Sequence, residues 1–325
     1  MRSSNPAGRL AFAAAFGFAA AVALLAHADP AFAQTPAPDA SADEPYRLNA
    51  DRLEGSATSE ENVLRATKVT VVHGATRVTG DSAQIYQNRE FVVFRGNVKV
   101  YDGTTVMRGT EASYDRKQRL AILRGNVRIE DQGTVITGQE ATFYRDRNLS
   151  VITGNAMLRD SSRTLRADRL EYDRGRDIVT AIGKVDAEDR AESTRVRAGR
   201  IRFDRRADYA WAEESPSLTL VEKDGRATDI AADTLRFDNA RNRVFAVGRV
   251  RIDRDSLHAT SAAASFYRSE DRALLVGDPR AVSPEGIARG DSMEVRFHDG
   301  RITSLQMRPN ASVDYEERAT SGRGE

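Results

Sequence analysis

Cysteine is absent from the 325-residue chain. That excludes disulfide staples, thiol nucleophiles and zinc–thiolate centres. Charge of one sign is lacking too, because 49 Lys and Arg face 48 Asp and Glu for a formal net charge of +1. A general nucleic-acid binder needs cations gathered in surplus on one face to neutralise phosphates, so that class falls away. Catalytic groups are sparse. The four histidines are scattered, and no Gly-x-Ser-x-Gly elbow, phosphate-binding glycine loop or His-Glu-x-x-His helix occurs. After residue 45 no stretch has the 3.6-residue apolar period of a helix.

The one long apolar run lies at the start. Arg2 and Arg9 form a basic region, Leu10 to Ala26 is uncharged, and Ala31-Phe32-Ala33 places small residues at both cleavage-determining positions. This reads as an export signal over 1–33, removed before Gln34, which takes the mature chain out of the cytoplasm. A run of 17 residues is at the short end of a bilayer span, so an uncleaved anchor is the alternative. Residues 34–45, rich in Ala, Pro and Asp, read as a disordered linker, and 309–325 as a disordered tail.

The rest is a repeat. Gly96, Gly125, Gly154 and Gly183 follow one another at 29 residues, and Gly248 and Gly277 repeat the interval. The first three stand in Gly96-Asn97-Val98, Gly125-Asn126-Val127 and Gly154-Asn155-Ala156, and an aromatic precedes each of the six by ten or eleven residues (Tyr86, Tyr114, Tyr144, Tyr172, Phe237, Tyr267). Phe203 plus eleven lands on Glu214, a substituted copy with a few residues inserted nearby. With partial opening and closing copies the array has about eight units over 46–308, as one domain or as two modules joined near 205–230. Within a unit the period is two, which argues strand. Leu123, Gly125, Val127 and Ile129 share one parity while Leu120 and Ile122 share the other, so the inward face is expected to change sides near the glycine. Glycine allows the kink or bulge such a corner needs. Short polar turns such as Asp115-Arg116-Lys117-Gln118 suit hairpin connections. The expected fold is all-β: an elongated antiparallel jelly roll of two facing sheets built from bent strands.

This spacing, with its Gly-Asn-Val core and the half Leu165-Arg166-Ala167-Asp168-Arg169-Leu170-Glu171-Tyr172-Asp173, resembles the LptA/OstA-like family of periplasmic lipopolysaccharide-transport proteins. The resemblance implies a V-shaped pair of sheets that holds the acyl chains of lipopolysaccharide (lipid A). It also implies end-to-end stacking by edge strands, bridging an inner-membrane LptC-like anchor and an outer-membrane LptD-like insertion protein, with head-to-tail self-association possible. The number of units is about twice that of the simplest members, which leaves a long bridge, an anchor–bridge fusion or a carrier of another amphiphile open.

Energetics point the same way. A fatty acyl chain exposes on the order of a dozen methylenes in water at about 0.8 kcal/mol each, roughly 10 kcal/mol per chain. A uniform apolar trough removes that cost. The expected lining is Phe94, Val98, Val100, Leu123, Val127, Ile129, Ile152, Leu158, Val185, Val250 and Ile252; the plainer alternative is the core of a closed sandwich. Unpaired terminal strands are natural docking edges, with Leu48 and Leu53 at one end and Val295, Phe297, Ile302 and Leu305 at the other; simple fraying is the alternative. His73 and His298 read as turn residues, and Glu213-Glu214 and Glu316-Glu317 as solvated pairs whose members point to opposite faces. Arg289-Gly290-Asp291-Ser292 looks like an adhesion tripeptide, but Thr79-Gly80-Asp81-Ser82 sits at a comparable repeat position. Trp211, the only tryptophan, falls in the irregular copy, where packing is the simpler role. The reading is a non-enzymatic lipid carrier without cofactor, metal or nucleic-acid partner. Its rivals are a structural envelope filament or adhesin and, further off, a parallel β-helix polysaccharide enzyme.

Overall fold

The structure is a computed structural model that describes residues 46–58, 61–221, 225–284, 286–298, 301–308, 310 and 312–315. The export signal, the linker and Glu316-Glu317 lie outside these residues. The described chain contains 24 strands, which pair antiparallel throughout the ladders described below. The chain divides into two compact units: 46–187 with 200–208, and 188–199 with 209–315.

The first unit comprises β1 (Arg47–Asn49), β2 (Arg52–Ala57), β3 (Asn62–His73), β4 (Thr76–Tyr86), β5 (Phe91–Asp102), β6 (Thr105–Asp115), β7 (Leu120–Asp131), β8 (Thr134–Tyr144), β9 (Leu149–Arg159) and β10 (Arg163–Asp173). β11 (Ile178–Asp189) and β12 (Thr194–Asp204) carry residues of each unit. From β3 onward these strands form a meander, each hydrogen-bonded to the next through β10. Each glycine strand carries a bulge at its middle. In β7 and β8, Arg124 pairs with Glu140 and Val127 with Gly138, so two residues, Gly125 and Asn126, oppose one. The bulge divides each strand into two half-ladders, and the apolar side of each half is buried: Leu123 and Ile152 in one, Val127, Ile129, Ile136 and Leu158 in the other. The jelly-roll architecture expected from the repeats is therefore the observed one.

One expectation about the corner needs correcting. The buried face does not change parity in the glycine strand, where Leu123, Val127, Ile129 and Asp131 are all buried. It changes in the strand that follows, from Ile136 and Gly138 to Ala141 and Phe143. The extra residue explains this: Leu123 to Val127 spans four residues while the facing Ala141 to Gly138 spans three. The Gly-Asn doublet is the bulge itself. Gly125 and Asn126 have φ of 75° and 49°, and the same left-handed pair recurs at Gly96-Asn97, Gly154-Asn155, Gly183-Lys184 and Gly248-Arg249. Glycine adopts this region freely and asparagine better than most residues.

The second unit comprises β13 (Tyr209–Glu213), β14 (Ser217–Val221), β15 (Ala227–Ala231), β16 (Thr234–Asp238), β17 (Arg243–Arg254), β18 (Leu257–Tyr267), β19 (Arg272–Val276), β20 (Arg280–Ser283), β21 (Gly286–Arg289), β22 (Ser292–His298), β23 (Arg301–Arg308) and β24 (Ser312–Tyr315). Here most strands are broken at the corner into two short pieces, and Pro216 and Pro279 fall at breaks. Only β17 and β18 cross unbroken. Residues 312–315 differ from the disordered tail expected of them: they form β24, paired with β21.

Candidate functional site

The expected lining lands almost entirely in the interior. Phe94, Val98, Val100, Leu123, Val127, Ile129, Ile152, Leu158, Val185 and Val250 are buried, and Ile252 is half-buried. Val127, Ile129 and Ile152 are at 1% exposure or less, so around them the middle of the first unit is closed to water. The interior is less closed toward its first strands. Leu64, Val71, Val78 and Ile85 are half-buried, Leu48 is half-buried, and Leu53 is 52% exposed. Register fixes which way these side chains face. Leu53 lies opposite the buried Ala66, and Leu48 opposite Val71. Residues that belong to the apolar face therefore reach solvent at the β1–β2 end.

The last strands of the second unit repeat the arrangement. Leu305 on β23 lies opposite the buried Val295 and is 40% exposed. Val295 itself is on no edge, since β22 is paired with β19 on one side and β23 on the other. Of the candidates at this end, Ile302 and Leu305 lie one strand further out, on β23. Phe297 and Ile302 are in register with each other across β22 and β23.

Two rows of turns close the meander of the first unit, and they differ chemically. One row, at 87–90, 116–119, 145–148, 174–177 and 205–208, ends in a left-handed residue each time (Glu90, Arg119, Asn148, Asp177, Asp208). Asp115, Asp173 and Asp204 accept backbone N–H bonds inside their turns at 2.8, 3.0 and 2.9 Å, which is the use of the acid that follows the aromatic in the repeat. Successive turns are tied by backbone bonds: the N–H of Arg145 donates to Arg119 O at 3.1 Å, and that of Arg174 to Asn148 O at 2.9 Å. Arginines pack over the tyrosines beneath, Arg89 over Tyr86 at 4.2 Å and Arg205 over Tyr172 at 5.8 Å. The Tyr172 hydroxyl donates to Asp177 Oδ1 at 3.0 Å, and burial, with that bond second, pushes its phenol above the ordinary value.

The other singled-out residues are structural. His73 stacks on Tyr46 at 4.0 Å between centroids, and His258 Nδ1 lies 2.8 Å from Asp253 Oδ1 on the surface. Trp211 on β13 packs against Tyr209 at 4.5 Å. Asp81 and Asp291 hold the same corner position, each accepting from an asparagine Nδ2, Asn97 at 2.8 Å and Asn310 at 3.1 Å, so the adhesion-like tripeptide is repeat chemistry. Among the described residues no group of three or more His, Asp or Glu could hold a metal ion.

What this defines is a repetitive, bulged antiparallel β-protein: the middle of the first unit is closed, and apolar-face residues reach solvent on the first strands of the first unit and on the last strands of the second. Residues 46–149 match the family model of the OstA-like protein. Among solved structures, one similar chain is described as LptH, the LptA homologous periplasmic component of the conserved lipopolysaccharide transport device from Pseudomonas aeruginosa. It is 24% identical, covers 33% of this chain and 81% of its own, and has a TM-score of 0.30, too low to bear on the fold. No curated protein matches.

Proposed function

We propose that this chain is a periplasmic carrier that shelters the acyl chains of lipopolysaccharide between its bent sheets on the way from the inner to the outer membrane. The observation that carries the reading is the pair of terminal strands. Leu53 and Leu305 belong to the apolar face yet are 52% and 40% exposed. An isolated sandwich gains from covering such residues, whereas a carrier needs an entry for hydrocarbon and an edge on which a partner strand can pair. The OstA-like segment begins at this first end, at residue 46. Since the centre is closed, an acyl chain enters from the β1–β2 end and advances by parting the sheets. The return is roughly 10 kcal/mol of avoided exposure per chain. The same edges are the proposed seats for an LptC-like anchor, an LptD-like insertion protein or a second copy of the chain.

The sealed centre favours a second reading, an envelope scaffold with a permanent core. Native mass spectrometry of protein purified without delipidation separates the two. The carrier reading expects adducts with the mass of a multiply acylated glycolipid; the bare polypeptide mass at every charge state favours the scaffold.

A further inference from the structure

The five turns at 87–90, 116–119, 145–148, 174–177 and 205–208 contain ten Arg or Lys and four Asp or Glu. Adding Asp115, Asp173 and Asp204, which end the preceding strands, still leaves 10 − 7, an excess of three cations. The turns at the opposite ends of the same strands (74–75, 103–104, 132–133, 160–162 and 190–193) contain three charged residues, Asp160, Arg190 and Glu192, with no excess of cations. In a chain of net charge +1 this is a strong local bias. Pairing with the turn acids consumes part of it, as in Arg119 with Asp146 at 2.7 Å and Arg116 with Glu90 at 3.4 Å. Arg116, Lys117, Arg119, Arg147, Arg176 and Arg206 remain exposed.

The cations are also regularly placed. Arg116, Arg145, Arg174 and Arg205 open successive turns, and each uses its backbone N–H to bond the previous turn at 2.9–3.1 Å. Two strands separate one from the next, about 9.6 Å at a ~4.8 Å strand spacing. Burial pulls Arg174 below its ordinary value and the neighbouring Arg145 charge adds to the effect, so like charges are held near one another where water is already partly excluded. The buried Phe94, Leu123 and Ile152 lie three residues inside the start of their strands, roughly 10 Å from this rim. A molecule with hydrocarbon in the interior therefore presents its polar head at the rim.

We propose that this row of turns is a rail for the phosphate groups of the carried lipid's head group. The inference rests on the carrier reading above and deepens it. Repetition gives the head group equivalent seats along the array, as the interior does for the tails, so a lipid shifts by one unit without losing its ion pairs.

The test compares binding of a bisphosphorylated, multiply acylated diglucosamine lipid with its dephosphorylated counterpart to the full mature chain. Salt is set at about 50 and about 300 mM. The phosphorylated lipid is expected to bind about ten-fold more tightly at low salt, with the gap narrowing at high salt. The gap closes in the exposed-site variant Arg116→Gln/Arg147→Gln/Arg176→Gln and reopens when the same three positions carry Lys. Equal affinity for both lipids, or an unchanged gap in the Gln variant, overturns the rail and leaves the carrier reading standing. Displacement of the phosphorylated lipid by inorganic phosphate at about 10 mM reassigns the turns to free anions and overturns it too. Failure of both lipids to bind removes the carrier reading and the rail together.

Discussion

At the scale of single residues the corner obeys a steric rule that couples two positions fifteen apart. A Cβ added at Gly154 would lie 2.6 Å from Gln139 Cβ, and one at Gly248 2.9 Å from Asp233 Cβ. One member of each facing pair must therefore be glycine. The substituted copy obeys the rule in reverse: Glu214 and Ser215 keep the left-handed conformation at φ 64° and 62°, and the facing residue is Gly199, whose N–H donates to Glu214 O at 2.9 Å. The missing glycine has moved to the partner strand. Gly154→Ala is expected to cost about 2 kcal/mol, from left-handed strain and the clash with Gln139. Adding Gln139→Gly should recover about 1 kcal/mol as a favourable coupling term in a urea-unfolding double-mutant cycle. Strict additivity would mean that the two positions do not meet. The Gly-Asn doublet was legible in the sequence because both residue types tolerate positive φ. The Gly199–Glu214 exchange was not, since its cause lies in a strand pairing that no local pattern records.

At the scale of elements, alternation announced the strands and their turns, but not which strand shifts its face at the corner, because a bulge is a property of two strands together. The outward faces carry charge ladders. On β5 to β8, Arg95 pairs with Glu111 at 3.0 Å and Arg124 with Glu140 at 2.8 Å. On β6 and β7, Glu130 accepts from Arg108 and from Arg128, which in that order hold its carboxyl below the usual carboxylate range. A carboxyl depressed in the folded state stabilises fully above its unfolded value of about 4.3, and that contribution is lost as pH falls through the lower folded value. Glu130→Gln should therefore melt slightly below the parent at neutral pH, and the two melting curves should converge as acid protonates the carboxyl in the folded state as well. A gap that persisted in acid would place the effect in packing and not in ionisation. Edge positions were harder to read. Leu53 and Leu305, read as docking-edge residues, are 52% and 40% exposed on β2 and β23, while Val295 lies on β22, which is paired on both sides, and strand pairing of that kind leaves no local pattern.

At the scale of the molecule, the repeat and its family resemblance were plain from glycine spacing, and the interior from parity. Two features were hidden. The seal over Val127 and Ile152 depends on how closely facing half-strands approach, and the continuation of the fold through β24 depends on a partner, β21, that lies more than twenty residues earlier. The account holds that hydrocarbon enters along the apolar face near β1–β4. Photo-crosslinking in cells tests this most directly, with the probe placed at the half-buried Leu64 and Val78 and, for comparison, at the outward-facing Arg65 and Arg77. The account predicts acylated-lipid adducts at Leu64 and Val78 and none at Arg65 and Arg77; equal labelling of the four sites, or labelling of none, contradicts it.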